Sequence, residues 1–256
     1  MSRLRARCPD CRTLTAVAIG PEYECHSCGR EFAAGLVRVP RAWGRDGEAM
    51  AEAAFLPIPY PETAVIDEAT LAEQNAALAA DLPDRPLVVG GCCCAHVGAV
   101  QGLAARPGGR LGLVWIDAHG DLNTPETSPS GNAWGMPFRM LLDAHAVAAE
   151  DSALIGARNL DAAEVELLAE RRIDDDLERA LADVERVYVA FDLDVLGPGE
   201  AGAFFSEPGG PTLAEAEAVL RQVAAAAPLA GIGFTGMRPE PANEAVVTRL
   251  AAAVGL

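Results

Sequence analysis

Five apolar runs, each closing on polar or charged residues, alternate along the chain with alanine- and leucine-rich stretches of helical spacing. The runs are PLVVGG (86–91), LGLVWID (111–117), SALIGAR (152–158), RVYVAFDLD (186–194) and LAGIGFTG (229–236). The helical stretches cover roughly 68–82, 95–106, 161–171, 175–184, 212–227 and 241–253. Strands apolar at successive positions are buried on both faces, and their alternation with helices requires a parallel sheet covered on both sides. The pattern therefore predicts one α/β domain over 68–256, with 41–67, which contains Pro57, Pro59 and Pro61, as a linker. There is no internal repeat and no low-complexity tract.

Residues 1–40 follow a different logic. Cys8 and Cys11 form CPDC, Cys25 and Cys28 form CHSC, and thirteen residues separate the pairs. Two such knuckles at this distance are the signature of a four-thiolate zinc site. Two disulfides are the alternative, disfavoured in a chain that starts without a secretion signal. A piece this short folds around its metal rather than around a core of its own. A zinc ribbon, however, names no activity.

Half of the 256 residues are hydrophobic, enough for a sizeable core, yet no apolar run reaches the ~18 residues of a membrane span. These features predict a cytoplasmic protein. The net charge of −17 is unevenly spread: residues 1–45 carry eight arginines and four acids, the remainder twelve arginines and thirty-three acids. An acidic body of this kind argues against wholesale nucleic-acid binding.

Polar residues gather at the carboxyl ends of the expected strands, where sheets of this class bind ligands. In WIDAHGDLN (115–123), Asp117, His119 and Asp121 occupy every second position, and side chains at i, i+2 and i+4 of an extended segment face the same way. Asp192 and Asp194 of FDLD repeat the arrangement at another strand end. An isolated DxD is more often a helix cap or a surface acid. Four carboxylates and an imidazole converging from two strands repel strongly when buried without a cation, so the two clusters together point to one or two divalent metals.

These same segments resemble the arginase/agmatinase (ureohydrolase) family. DAHGDLNTPETSPSGNAWGMP (117–137) is similar to its signature DAHxD-x-N followed by SGN-x-HG-x-P, and FDLDVLGP (191–198) to its DxDxxDP motif. GGCCCAHVGAV (90–100) stands where the family has GGDHS-x-x-x-G, and IGARNLDAAE (155–164) is similar to IGxRDxDxxE. The resemblance runs over about residues 86–240 in the family's order.

The resemblance implies a three-layer αβα fold with a mainly parallel central sheet, here preceded by the small zinc ribbon. It implies two catalytic divalent metals besides the ribbon's structural zinc: manganese by family habit, with zinc, cobalt or iron as alternatives. Asp117 and Asp192 would bridge them, His119 and Asp194 would complete one site, and Asp121 would serve the other. There the family has a histidine and this chain has Cys93, a softer ligand; His96, three residues on, is the rival. Asp121, with His119 in the ligand set beside it, would carry the acid–base chemistry of C–N bond hydrolysis in a linear amidine or ureido substrate. Asn123, Ser130, Asn132 and Asp161 match positions that hold an amino-acid end, and Ser206 a threonine near the reacting group. The family's mouth histidine falls at Trp134, and a carboxylate and an asparagine that meet a guanidinium fall at Gly236 and Arg238. A cation there argues against efficient arginine hydrolysis. The partners implied are a small-molecule substrate and copies of the chain itself, as a trimer or hexamer, with no membrane. Two other readings stay open: a non-catalytic or regulatory binding protein on a decayed scaffold, and a one-metal deacylase using Asp117, His119 and Asp194.

Overall fold

The computed structural model describes residues 5–256 apart from 7, 9, 12, 14, 20, 21 and 33. Among the described residues, two sheets form. The smaller is antiparallel and joins β1 (Arg5–Ala6), β2 (Ala16–Ile19), β3 (Glu22–Cys25) and β4 (Glu31–Phe32) in chain order. Its turns bring Cys8 Sγ to 3.6 Å from Cys28 Sγ and Cys11 Sγ to 3.5 Å from Cys25 Sγ, with all four sulfurs within 4.8 Å of one another. A disulfide needs a separation of about 2.0 Å. Tetrahedral zinc with bonds of about 2.3 Å holds its sulfurs about 3.8 Å apart, so the observed spacing suits four ligands of a single cation.

The larger sheet contains β5 (Ala34–Val39), β6 (Glu62–Val65), β7 (Arg85–Gly90), β8 (Leu111–Ile116), β9 (Ser152–Ile155), β10 (Arg186–Asp192) and β11 (Leu229–Thr235). Their order is β6-β5-β7-β11-β10-β8-β9, and every pairing is parallel. The helices are α1 (Glu48–Ala53), α2 (Leu71–Ala80), α3 (Ala95–Ala104), α4 (Pro137–Asp143), α5 (Ala162–Arg171), α6 (Leu177–Leu181), α7 (Leu213–Ala226) and α8 (Ala242–Ala253). Each strand sends alternate residues to opposite faces. Val114, Val189, Phe191 and Phe234 pack with Leu220 of α7 and Val247 and Leu250 of α8. Leu113, Trp115 and Tyr188 pack on the other face with Leu78 of α2, Leu103 of α3, Phe138 of α4 and Leu167 of α5. The result is the αβα sandwich expected from the sequence.

Two segments differ from that expectation. Residues 34–39, read with the ribbon, form a central strand: β5 lies between β6 and β7. Residues 41–67, read as a linker, contain α1 and β6. The strand β6 lies at the sheet edge with only alternate partial burial, so it lacks a continuous apolar run. Buried Arg38 interrupts β5; its Nε donates to Glu62 Oε2 at 2.7 Å and its guanidinium also reaches the carbonyls of Ala54 and Leu56.

Candidate active site

The middle strands β7, β11, β10 and β8 direct their carboxyl ends to the same edge of the sheet, and a cavity of about 210 Å³ opens there. Asp117 follows β8 directly. Its Oδ1 accepts the His119 amide at 2.8 Å and its Oδ2 accepts from Trp115 Nε1 at 3.2 Å. This closes a turn rather than continuing the strand, and Asp121 adopts a left-handed backbone with φ 53°. Asp117, His119 and Asp121 thus reach one cavity through a turn and not through strand alternation. From β10, Asp192 Oδ1 accepts the Asp194 amide at 2.9 Å, and Asp194 Oδ1 accepts the Ala118 amide at 3.1 Å, tying the two clusters together.

The remaining atoms fall into two groups that share Asp117. Cys93, in the turn between β7 and α3, has Sγ 3.0 Å from Asp192 Oδ2 and 4.0 Å from Asp117 Oδ2. His119 Nδ1 lies 3.0 Å from Asp194 Oδ2 and 3.5 Å from Asp117 Oδ1. Asp121 lines the same cavity, and its buried Oδ2 has no hydrogen-bond partner among the described residues. His96 is not in either group: it is fully buried one layer deeper, against Thr235 and Tyr188. Of the flanking thiols, Cys92 accepts from the Trp43 amide and Cys94 is wholly buried.

This crowding has an electrostatic signature. Burial, reinforced by Asp194, lifts Asp192 to about 7; burial, reinforced by Asp117, lifts Asp194 to about 6. Burial and the charge of Asp117 raise Asp121 well above the carboxylate range, and burial with Asp192 does the same to the Cys93 thiol. Burial pulls His119 down, but hydrogen bonds to Asp117 and Asp194 prevail and carry it to about 12. The cluster thus holds protons that ordinary acids would release. Acidic oxygens, a thiol, an imidazole and an orphaned buried carboxylate oxygen are the donor set of a divalent-cation centre.

Residues 50–255 match the profile of the arginase family. The chain belongs to the arginase family. It is 41% identical over 98 residues to an arginase of Staphylococcus aureus (strain COL), a match covering 34% of this chain and 32% of that protein. The match thus spans about a third of that relative's length. It is 32% identical over 199 residues to an arginase of Brevibacillus brevis, covering 66% of each chain. Among solved structures, arginase from Bacillus caldovelox superposes with TM-score 0.71 at 25% identity, over 86% of this chain and 97% of that one. Formimidoylglutamase from Bacillus subtilis shares the fold, with TM-score 0.68 at 19% identity over 87% and 86% of the two chains.

Within this arginase-family cavity, Asn123, Ser130, Asn132, Asp161, Trp134 and Gly236 line the wall, as do the six candidate ligands. Asn123 Nδ2 donates to Asp161 Oδ2 at 2.8 Å, and Asn132 Oδ1 accepts the Arg45 amide at 3.0 Å. Ser206 and Arg238 are exposed and do not line the cavity. Arg238 instead donates to the carbonyls of Ala203 and Phe204 and stacks over the Phe204 ring. The residue beside Ser206, Phe205, is the one that reaches the cavity, its ring 6.0 Å from that of His119. Sequence reasoning also passed over Glu207, whose Oε1 is 3.4 Å from His119 Nε2, and Asn159 on the same ring nitrogen. They lie in loops without periodicity, where only chain topology decides what faces the site.

Proposed function

We propose that this protein is a metal-dependent hydrolase of non-peptide C–N bonds in linear amidines or ureido compounds. The observation that carries the reading is the pair of ligand groups sharing Asp117 at the carboxyl ends of β7, β8 and β10, with the orphaned Asp121 Oδ2 beside them. Cys93, Asp117, Asp121 and Asp192 are the residues we assign to one divalent cation, and Asp117, His119, Asp192 and Asp194 to the other. When bound, such cations supply Lewis acidity that acidifies water and polarises a planar carbon. Asp121 then holds the proton at Oδ2 and passes it to the leaving nitrogen. Glu207 orients His119 by accepting from Nε2. Manganese is the family's usual metal, while the Cys93 thiol shifts one site toward zinc, cobalt or iron. The ribbon holds one structural zinc through Cys8, Cys11, Cys25 and Cys28. We further assign the protein to the cytoplasm, as a homo-oligomer acting on a small molecule.

Arginine is a poor substrate on this reading. Gly236 has φ 66° and a Cβ there would run into the Asp192 carboxylate, so the position cannot carry an acidic side chain. Arg238 no longer contributes to that argument, since it faces the Phe204 ring outside the cavity. Loss of a charge partner costs about 2–5 kcal/mol, or roughly 30- to 5000-fold in rate. The test is a panel of arginine, agmatine, guanidino acids, N-hydroxyarginine, formiminoglutamate and ureido acids, assayed with manganese, zinc and cobalt. Turnover of a member other than arginine is expected. Efficient arginine hydrolysis refutes the pocket argument. Inertness toward all members with both cations bound refutes the catalytic reading.

A further inference from the structure

Behind the ligand residues runs a chain of three buried polar side chains that the proposed chemistry does not use. Tyr188 Oη lies 3.1 Å from His96 Nδ1, and His96 Nε2 lies 3.2 Å from Thr235 Oγ1. Thr235 Oγ1 donates to Asp192 Oδ2 at 3.1 Å and is 3.5 Å from Cys93 Sγ. All three side chains are almost completely excluded from solvent. The His96 ring is wedged edge-on between Trp115 and Tyr188, beneath Gly233, where any Cβ would strike the ring and the Tyr188 hydroxyl.

The polarity of the chain is fixed by counting protons. Asp192 must be ionised to hold a cation, and its carboxylate then only accepts, so the single Thr235 proton goes to Asp192. A lone pair of Thr235 Oγ1 then receives the His96 Nε2 proton, which makes Nδ1 an acceptor, and the Tyr188 hydroxyl fills it. Each of the three donors, Tyr188 O–H, His96 Nε2–H and Thr235 O–H, is used once. Burial holds His96 neutral, down at about 3, and pushes Tyr188 upward, so neither end alters its charge near neutrality. His96 also sits on the same turn as Cys93, its amide bonded to the Cys93 carbonyl at 3.1 Å.

We propose that Tyr188, His96 and Thr235 form a positioning chain that holds Asp192 Oδ2 beside Cys93 Sγ and thereby sets the affinity of the cation site that uses the thiol. The inference rests on the two-cation reading above. It makes His96 an orienting residue rather than the rival ligand, and it predicts an asymmetry, since the chain touches Cys93 and only the Oδ2 of the shared Asp192, and neither His119 nor Asp194.

The test is a cobalt titration of the full-length protein with zinc kept in the ribbon and the cavity stripped by mild chelation. Thiolate-to-cobalt charge-transfer absorption reports the Cys93 side, and the ligand-field bands report both cations. Thr235→Val and His96→Leu are expected to weaken the charge-transfer-linked site by about 10–100-fold, the usual cost of losing an outer partner, and to leave the other site within about threefold. Thr235→Ser keeps the hydroxyl and His96→Gln keeps a donor and an acceptor, so both are expected to bind like wild type. Melting temperatures of the metal-free variants are measured alongside. Wild-type affinity at both sites in Thr235→Val and His96→Leu overturns the inference, as does equal weakening of both sites in step with lost stability. A wild-type chain that takes up fewer than two cobalt ions in the cavity overturns the two-cation reading itself, and the inference with it.

Discussion

Asp121 combines a left-handed backbone, complete burial and an oxygen without a partner among the described residues. Each is unfavourable, and together they mark a residue kept for chemistry rather than stability. Asp121→Asn removes the proton-carrying group while retaining an oxygen, so kcat at saturating metal is expected to fall about 10²–10⁴-fold with the fold intact. Steady-state kinetics with circular dichroism checks this, and undiminished turnover removes Asp121 from its role. Cys93 poses a separate question, because three cysteines stand in a row. Its sulfur alone of the three faces Asp117 and Asp192, so Cys93→Ala is expected to lose one cavity cation by elemental analysis while Cys92→Ala and Cys94→Ala keep both. The acidic clusters that converge in the cavity were legible in the sequence because strand-end acids at fixed spacing carry their own signal. Phe205, Glu207 and the Tyr188–His96–Thr235 chain were not, since each acts through a partner tens of residues away.

The strands β7 to β11 and the helices α2, α3, α5, α6, α7 and α8 fall within the segments read from hydrophobic pattern, except that β7 begins one residue earlier, at Arg85. Each except the five-residue α6 is either buried on both faces or long enough to show helical spacing. The elements that escaped are short or interrupted by charge: α1, α4, β5 and β6. Strand β5 shows the physical reason most clearly, since Arg38 sits in its middle with only 6% exposure. Its salt bridge to Glu62 and its bonds to two carbonyls fasten β5 to β6 and to the segment after α1. Arg38→Ala leaves those carbonyls and the carboxylate without their donor, so unfolding in urea is expected to require about 2–4 kcal/mol less. A loss under about 0.5 kcal/mol, typical of a surface pair, contradicts this account. It also follows that the ribbon cannot be removed by a cut at residue 45, which would take a central strand with it; the cut belongs before residue 34.

At the scale of the whole molecule, the fold concentrates proton affinity on the residues proposed to hold cations. Asp192 and Asp194 sit at about 7 and about 6 against an ordinary 3.8, so the metal-free folded chain holds protons that the unfolded chain has already released. That contribution to stability is present at low pH and is lost as pH rises through about 4 to 7. His119, carried to about 12, must likewise give up a proton to become a ligand. The rise in melting temperature on adding metal is therefore expected to be small near pH 5 and to grow toward pH 7.5, about the range over which Asp192 and Asp194 empty. His96 is neutral with or without metal and cancels from the difference. Paired thermal melts in chelator and in metal across this range test it, and a gain independent of pH contradicts it. Among the described residues no helix is long and apolar enough to cross a membrane. The central claim, two cations sharing Asp117 and Asp192 in one cavity, is tested most directly by diffraction from metal-loaded crystals at the manganese and zinc absorption edges. The account predicts two anomalous peaks in the cavity, one against Cys93 and Asp121 and the other against His119 and Asp194, with a separate zinc peak among the four ribbon thiolates. A single cavity peak beside His119, or none in fully loaded protein, contradicts it.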